Sequence, residues 1–183
     1  MIFLIGGPPR VGKSTLAWML LERDGIPGCP TDALVSMLGQ VAPQHGVRHG
    51  MHLDKAELAQ PFVLAFLEAI AEGLDQETDP PDCYVLEGDV VTPAVAGSAT
   101  ARGLPVTAVF LGNTTITVEA LRTAPHWLDG ADDSTYREVA SWIGEQSVML
   151  RDACAAAALP YVDLSKGFES GLEDAYTTLL SQV

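Results

Sequence analysis

A run near the start of the chain, residues 7–14 with the sequence GPPRVGKS, has the spacing of a phosphate-binding loop. Glycines such as Gly7 and Gly12 permit positive φ angles, so that successive backbone N–H groups converge on phosphate oxygens. Lys13 has the reach to contact the β- and γ-phosphates, and the Ser14 hydroxyl is a ligand for Mg²⁺. These residue types at this spacing predict a binding site for a nucleoside triphosphate and Mg²⁺.

The segments before and after this loop have the patterns of a strand and a helix, as phosphate binding by such a loop requires. Residues 2–5 are an apolar run that predicts a buried strand, and a helical pattern begins at Lys13. The N-terminus of that helix adds a partial positive charge beside the phosphates. We therefore expect Arg10, Val11 and the neighbouring hydroxyl of Thr15 to contact the nucleotide as well. Arg10 is unusual in the middle of such a loop, and it either contacts a phosphate or points to solvent.

The rest of the chain alternates short apolar runs with helical patterns, which predicts an α/β fold with a roughly five-stranded parallel sheet flanked by helices. After the first strand, further strands are expected near residues 27–30, 83–86, 106–111 and 161–162. Later helices are expected from residue 33 to about 38, from 54 to 70, from 92 to 103, from 115 to 122, over 139–157 and over 168–180. Asp54 is expected to cap the second of these helices in a capping box with Glu57, and Pro61 to kink or restart it.

Composition and charge narrow the classes of function. The 183 residues suit one domain, and they carry a formal net charge of −14, which repels nucleic acid and anionic membranes. No apolar run approaches the roughly 20 residues that a membrane-spanning helix needs, and the three cysteines lack the spacing of a zinc site. We expect a cytoplasmic protein, a monomer or a homodimer, that binds neither nucleic acid nor membranes.

Acidic residues follow the predicted strand at residues 83–86. The carboxyl end of a parallel strand lies at the edge of the sheet where ligands bind. A carboxylate there either orients water bound to Mg²⁺ or accepts a hydrogen bond from a substrate hydroxyl, and we expect Glu87 to serve the metal together with Ser14. Asp89, two residues further on, is either part of the same site or a turn residue that caps the next helix.

Three segments resemble the small-molecule kinase branch of phosphate-loop proteins. They are residues 2–17 (IFLIGGPPRVGKSTLA), 31–34 (TDAL) and 85–88 (VLEG). The first is specific, and it is similar to the loops of nucleoside monophosphate kinase-like proteins, including chloramphenicol phosphotransferase-like, zeta-toxin-like and 2-phosphoglycerate kinase-like proteins. The resemblance implies a single three-layer P-loop domain over residues 1–183 that transfers the γ-phosphoryl group of ATP to a small molecule with the help of Mg²⁺. The Asn-Lys-x-Asp signature of Ras-like GTPases does not occur.

The same resemblance gives Asp32 a role. In chloramphenicol phosphotransferase-like and zeta-toxin-like kinases, an Asp just after the second strand accepts the proton of the substrate hydroxyl, and Asp32 stands at the matching position. Phosphoryl transfer needs an oriented nucleophile beside the γ-phosphate, so a carboxylate suits this position. The alternative is that Asp32 only caps the helix that begins at Ala33.

Kinases of this kind carry arginines on a mobile segment that closes over the γ-phosphate. The resemblance implies a short lid at about residues 122–134, flanked by Arg122 and Arg137. Arginine's forked donors suit the charge on the transferring phosphoryl group, so both are candidate catalytic residues. The alternative is a solvated helix end with local charge pairs. His126 and Trp127 within the lid are candidates for stacking on a ligand, or Trp127 for the core.

The resemblance also implies a substrate-side insert at about residues 39–60. Basic residues are concentrated there, namely His45, Arg48, His49, His52 and Lys55. In so acidic a chain this favours an anionic or polyhydroxylated small-molecule substrate, while a metal site or a flexible polar loop are the alternatives. A nucleotide-binding regulator or slow ATPase without an acceptor remains the rival to a kinase.

Overall fold

The computed structural model describes residues 1–52, 54–75, 77, 82–123 and 128–182. Five strands form one sheet: β1 Ile2–Gly6, β2 Gly28–Pro30, β3 Tyr84–Gly88, β4 Val106–Gly112 and β5 Tyr161–Asp163. The helices are α1 Lys13–Asp24, α2 Thr31–Val41, α3 Lys55–Gly73, α4 Pro93–Ala101, α5 Val118–Arg122, α6 Asp133–Ala157 and α7 Phe168–Leu180. Within these described stretches, none of the helices combines the length and the apolar character needed to cross a membrane.

The sheet is parallel throughout, with the strand order β2-β3-β1-β4-β5. Strand β1 lies at its centre, where Gly6 pairs with Gly88 of β3 on one side and with Phe110 of β4 on the other. The chain leaves β1, β2 and β3 at the same carboxyl edge, which therefore collects the loop after β1, the start of α2 and the residues that follow β3. This arrangement confirms the predicted α/β class and the five parallel strands.

Helices cover both faces of the sheet, which makes the three layers. On one face, side chains of α2, α3 and α4 pack on Ile2, Leu4, Leu86, Ala108 and Phe110. On the other face, side chains of α1, α5 and α7 pack on Phe3, Ile5, Val85, Val109 and Leu111. The long helix α6 contributes Ile143 to the second core and Cys154 to the first. Alternate residues of β1 and β4 thus face opposite cores, as a strand's two-residue period requires.

Several helix ends differ from the sequence-based expectations. Helix α2 begins at Thr31 rather than Ala33 and runs on to Val41, into the expected loop. Helix α5 begins only at Val118, because Thr117 caps it by accepting a hydrogen bond from the Ala120 N–H at 3.2 Å. Propensity predicts helical stretches better than it predicts their ends, since a single capping side chain moves an end by a turn.

Helix α3 also corrects two expectations. It does not restart at Pro61, which lies inside one continuous helix from Lys55 to Gly73. The apolar side chains of Ala59 and Val63 on either side of the proline are buried in the core, and this packing holds the helix across the missing hydrogen bond. Asp54 is the capping position, but its side chain makes no capping hydrogen bond, so the expected capping box does not form.

Candidate active site

The phosphate loop joins the central strand β1 to helix α1, and its backbone has the geometry that such a loop needs. Positive φ angles occur at Gly7 (147°), Arg10 (69°) and Gly12 (90°). A Cβ at Gly7 would lie 2.2 Å from the carbonyl oxygen of Leu111, so no larger residue fits between the loop and β4. Gly12 precedes α1 without a side-chain cap, which leaves the first amides of the helix available to an anion.

Lys13 is buried at the beginning of α1, at 9% exposure. Its ammonium group donates to the Pro8 carbonyl oxygen at 2.8 Å, within the loop itself. Burial lowers the pKa of Lys13, although the carboxylates of Glu87 and Asp89 favour its charged form. In the described part of the chain no carboxylate forms an ion pair with Lys13, so a phosphate group would supply the missing counter-charge.

Ser14 and Glu87 meet across the carboxyl edge of the sheet. The Ser14 hydroxyl donates to Glu87 Oε1 at 2.8 Å, although the two residues are far apart in sequence. Glu87 is only 7% exposed, and burial raises the pKa of its carboxyl against the opposing effects of Ser14 and Lys13. Two oxygen ligands side by side, next to the expected phosphates, fit Mg²⁺, which prefers oxygen and keeps several waters. The pair of residues predicted for the metal is therefore brought together.

The other predicted loop residues differ in what they offer a nucleotide. The Val11 side chain is buried in the core, so only its backbone faces the loop. Arg10 is half-buried, and its Nε atom is buried without a hydrogen-bond partner among the described residues. An orphaned donor in a strained left-handed residue fits a phosphate contact better than it fits a solvent-directed side chain. The Thr15 side chain is exposed beside the loop.

Asp32 lies in the first turn of α2 and is exposed. The helix begins before it and its side chain makes no capping hydrogen bond, so the capping alternative is wrong. Its Oδ1 lies 4.0 Å from Nδ1 of His49, whose Nε2 is 2.7 Å from the Ser36 hydroxyl. Asp32 also acts electrostatically on both Lys13 and Glu87. The structure therefore brings Asp32 into the same charge cluster as the phosphate loop.

An ion pair that sequence reasoning missed completes this cluster. Lys55 Nζ, at the beginning of α3, donates to Asp89 Oδ2 at 2.7 Å, and the two side chains are only 8% and 21% exposed. Both residues act electrostatically on Lys13. Sequence reasoning counted Lys55 among the substrate-side cations and left Asp89 between a site residue and a turn residue. No local signal links two residues that are separated by a whole helix and a strand.

Thr31, which precedes Asp32, is a second residue that sequence reasoning missed. Its side chain is fully buried, and its hydroxyl lies so close to Gly88 that a Cβ there would be 1.7 Å from Oγ1. This contact locks the start of α2 onto the end of β3. It therefore fixes the distance between Asp32 and the residues that follow β3.

The two predicted arginines lie away from this cluster. Arg122 forms an ion pair with Asp133, which joins the two ends of the expected lid, and its guanidinium lies 4.9 Å from the centre of the Tyr136 ring. Arg137 is exposed on α6 and has no ion pair or hydrogen bond to another described residue. Residues 124–127, with His126 and Trp127, lie outside the described part of the chain. The structure thus does not join Arg122 or Arg137 to Lys13, and their catalytic roles stay predictions.

The histidines of the substrate-side segment do not converge on one point. His45 contacts Phe62 edge-on, with ring centres 5.0 Å apart, while His49 contacts Ser36 and His52 accepts from Arg48. No group of three metal-binding side chains occurs among the residues that the structure describes. The described histidines therefore give no support to the metal alternative for this segment.

Comparison with known structures identifies the architecture. A gluconokinase from Sinorhizobium meliloti 1021 superposes with a TM-score of 0.61 at 17% identity, covering 98% of this chain and 91% of that chain. A shikimate kinase from Bacteroides thetaiotaomicron gives a TM-score of 0.58 at 15% identity, covering 98% of each chain. The chain has the P-loop kinase fold. At these identities the likeness extends to the fold alone.

Sequence comparison adds one curated relative. An adenylate kinase from Mesorhizobium japonicum (strain LMG 29417 / CECT 9101 / MAFF 303099) is 31% identical over 91 residues. The match covers 48% of this chain and 43% of the relative, so the chain spans less than half the length of that P-loop kinase. No family model matches the chain.

Proposed function

We propose that the chain is an ATP- and Mg²⁺-dependent phosphotransferase that moves the γ-phosphoryl group of ATP onto a hydroxyl or phosphate group of a small molecule. One observation carries this proposal: Asp32, a carboxylate that faces solvent, follows by two residues the β2 residue that pairs with Glu87, and so lies at the same edge of the sheet as the Ser14–Glu87 pair. A phosphate loop alone serves many classes of protein. A carboxylate placed to receive a second substrate beside it is what a kinase needs.

Each residue of the cluster has a distinct task in this proposal. ATP supplies the phosphoryl group, and the loop amides with Lys13 balance the negative charge on its phosphate oxygens. Ser14 and Glu87 would hold Mg²⁺ through their oxygen atoms, and the metal would neutralise negative charge on the phosphates. Asp32 orients the acceptor hydroxyl and accepts its proton as the hydroxyl oxygen bonds to the γ-phosphorus and the bond from that phosphorus to ADP breaks, so that ADP leaves. Such a reaction depends on positioning and charge rather than on covalent chemistry by the protein.

The arginines near the lid take part by closing the site. Arg122 is held by Asp133 and by the Tyr136 ring, so it must exchange that ion pair for a phosphate contact when the lid closes. Arg137 has no ion pair or hydrogen bond to another described residue, so it has no such contact to break before it binds a phosphate. Closure excludes water from the phosphoryl group and so suppresses hydrolysis of ATP.

The variant Asp32→Asn tests the role of the acceptor side. We expect phosphoryl transfer, followed as ATP-to-ADP turnover with a panel of small-molecule acceptors, to fall about 10²-fold or more, since the base is lost. ATP affinity, measured by calorimetry, should stay within about threefold because the loop is untouched. The exposed Asp174→Asn is the matched control, and Lys13→Ala gives the background turnover. Unchanged turnover in Asp32→Asn would favour the slow ATPase or regulator without an acceptor.

A further inference from the structure

The charged residues at the carboxyl edge of the sheet offer different partners to ATP and to the acceptor. The edge cluster consists of Lys13, Asp32, Lys55, Glu87 and Asp89. Lys55 is hydrogen-bonded to Asp89, Asp32 follows by two residues the β2 residue Pro30 that pairs with Glu87, and all four act electrostatically on Lys13. Two cations therefore face three carboxylates. This balance decides which kind of acceptor the cluster can hold once the phosphates of ATP are bound.

Neither cation of the edge cluster is available to an anionic acceptor. Lys13 lies within the phosphate loop, bonded to the Pro8 carbonyl oxygen, and it is committed to the phosphates of ATP. Lys55 is already paired with Asp89 at 2.7 Å, and only 8% of its side chain is exposed. A second anion beside Lys55 would have to displace the carboxylate of Asp89 and leave that carboxylate without its partner, which is unfavourable in a partly buried site.

The edge cluster contains a hydrogen-bond acceptor that has no donor. Asp89 Oδ2 accepts from Lys55, whereas Oδ1 is buried and has no partner among the described residues. Asp32 also presents carboxylate oxygens, with its side chain 71% exposed. Hydroxyl and ammonium groups donate to such oxygens, while carboxylate and phosphate groups only accept at neutral pH and would be repelled.

From these observations we propose that the acceptor is a neutral or amino-substituted polyhydroxyl compound, without carboxylate or phosphate groups, oriented by Asp32 and by the Lys55–Asp89 pair. This narrows the anionic or polyhydroxylated class that the sequence suggested, and it rests on the proposed phosphotransfer. Lys55 and Asp89 are positioning residues here: the pair joins the start of α3 to the residues after β3, and it leaves one unpartnered carboxylate oxygen, Oδ1 of Asp89, and no free cation.

One described cation on the substrate side could still recruit an anion. Arg48 is exposed and bonds only to His52, with 3.1 Å between its Nε and the His52 Nε2. His49 is already shared between Ser36 and Asp32. Among the described residues of the substrate-side segment, Arg48 is therefore the cation that an anionic acceptor would contact, and substituting it tests the alternative.

A fractionated metabolite mixture tests the class of acceptor directly. A deproteinised cell extract is passed over a strong anion-exchange resin, and both fractions are incubated with the enzyme, Mg²⁺ and ATP labelled at the γ-phosphate. We expect label to enter small molecules of the unbound fraction. Label that enters only compounds of the resin-bound fraction would overturn the inference but leave the proposed phosphotransfer intact. Label in neither fraction, with ATP binding retained, would overturn the proposed phosphotransfer and the inference with it.

Two variants test the roles that the proposal gives to Asp89 and Arg48. We expect Asp89→Asn to reduce labelling of the unbound fraction about tenfold, with ATP affinity within about threefold, and to raise the relative labelling of the bound fraction because Lys55 is no longer neutralised. Arg48→Gln, which changes an exposed side chain and so keeps the fold, should leave labelling within about twofold. A tenfold loss in Arg48→Gln, or unchanged labelling in a folded Asp89→Asn, would contradict the inference. Asp174→Asn is the matched control.

Discussion

The two sides of the edge cluster differ in how their side chains are held. On the nucleotide side, which we define as residues 7–14 with Glu87, each functional group is buried or bonded to another: Lys13 to the Pro8 carbonyl and Ser14 to Glu87. On the proposed acceptor side, defined as Asp32, His49 and the two arginines Arg122 and Arg137, the side chains are exposed and meet other side chains mainly through single contacts. The nucleotide side is thus preorganised, whereas the acceptor side still has to be arranged by its substrate.

This difference reflects what each side must recognise. The triphosphate of a nucleotide has a fixed shape and charge, so one rigid cradle of amides and a lysine serves it. An acceptor must enter, be oriented and leave in each cycle, so the residues that bind it have to be accessible to solvent. Among the described residues, the Thr31–Gly88 contact and the Lys55–Asp89 pair give the proposed acceptor side a fixed base.

The largest effect is expected from Lys13→Met, which removes the charge of the nucleotide side. Turnover should fall about 10³-fold, because a preorganised cation opposite the transferring phosphoryl group is lost. The thermal shift caused by ATP should disappear as well. In the absence of ATP, however, the free energy of unfolding should stay unchanged or rise by about 1–2 kcal/mol, since a buried charge without an ion pair is removed.

The pKa of Lys13 gives the sign of this stability effect. Its pKa is lowered by burial, so the unfolded chain binds this proton more readily than the folded chain does. Lys13 therefore costs stability at neutral pH, and the cost diminishes only as the pH rises toward the pKa of the unfolded chain. Arg102→Met, which removes an exposed cation paired with Glu68, is the control and should change stability by less than about 1 kcal/mol. A large loss of stability in Lys13→Met would show that the lysine holds the loop together.

Gly88→Ala tests the contact that joins the two sides. The added methyl group would lie 1.7 Å from the Thr31 hydroxyl, so α2 or β3 has to shift. We expect a loss of about 3 kcal/mol, which lowers the melting temperature by about 6–12 °C. Turnover should fall more than ATP affinity does, because Asp32 moves with Thr31 while the phosphate loop stays in place.

Gly97→Ala is the matched control for this substitution. Gly97 lies inside α4, and a Cβ there meets no atom within 4 Å. The change should stabilise the protein by about 0.5–1 kcal/mol, because alanine favours the helix. Equal melting temperatures for the two variants would mean that the close approach of α2 to β3 is not a constraint.

The nucleotide side was predictable from sequence because its constraints are local. Gly7, Gly12, Lys13 and Ser14 follow one another in a single loop, and the apolar strand before it and the helix after it are equally local signals. The same holds for the parallel sheet, whose strands are short apolar runs. Glu87 was predictable for a related reason, because its place at the end of a strand fixes its edge of the sheet.

The acceptor side was not predictable because its geometry arises from tertiary contacts. The Lys55–Asp89 pair joins the start of one helix to the end of a strand that follows it, and neither residue has a distinctive neighbour in sequence. A count of basic residues overstated the cations available to a substrate, since Lys55 is neutralised and His45 packs on Phe62. Charge counts along a sequence cannot register which charges are already paired.

Glu87→Gln separates metal binding from stability. Turnover should fall about 10–100-fold, with a higher Mg²⁺ concentration needed for half-maximal rate, because the metal loses the charge of one oxygen ligand. Burial raises the pKa of the Glu87 carboxyl, so the folded chain holds its proton at pH values where the unfolded chain has lost it. The stability that the Glu87 carboxyl contributes is therefore present below the ordinary pKa of a glutamate. It is lost as the pH rises from that pKa through the raised pKa of the folded chain.

The pH dependence of the melting temperature tests whether the contribution of Glu87 to stability falls as the pH rises. Measured without ATP or Mg²⁺, the melting temperature of Glu87→Gln should rise relative to that of the unsubstituted protein as the pH increases above the ordinary pKa of a glutamate, about 4.5. The exposed substitution Glu169→Gln serves as the control and should show no such trend. A difference that runs the other way would mean that hydrogen bonding by Ser14, rather than burial, dominates the ionisation of Glu87.

The smallest effect is expected at the lid, where Arg122 and its partner Asp133 can be separated experimentally. If Arg122 leaves Asp133 to contact the γ-phosphate, Arg122→Gln should lower turnover about tenfold with ATP affinity nearly unchanged, since the contact forms only on closure. Asp133→Asn frees the same arginine and should leave turnover equal or higher. Each change should cost less than about 1 kcal/mol of stability, because both side chains are about half or more exposed. An equal loss of turnover in both variants would show that the ion pair itself, by joining the two ends of the lid, is what the reaction requires.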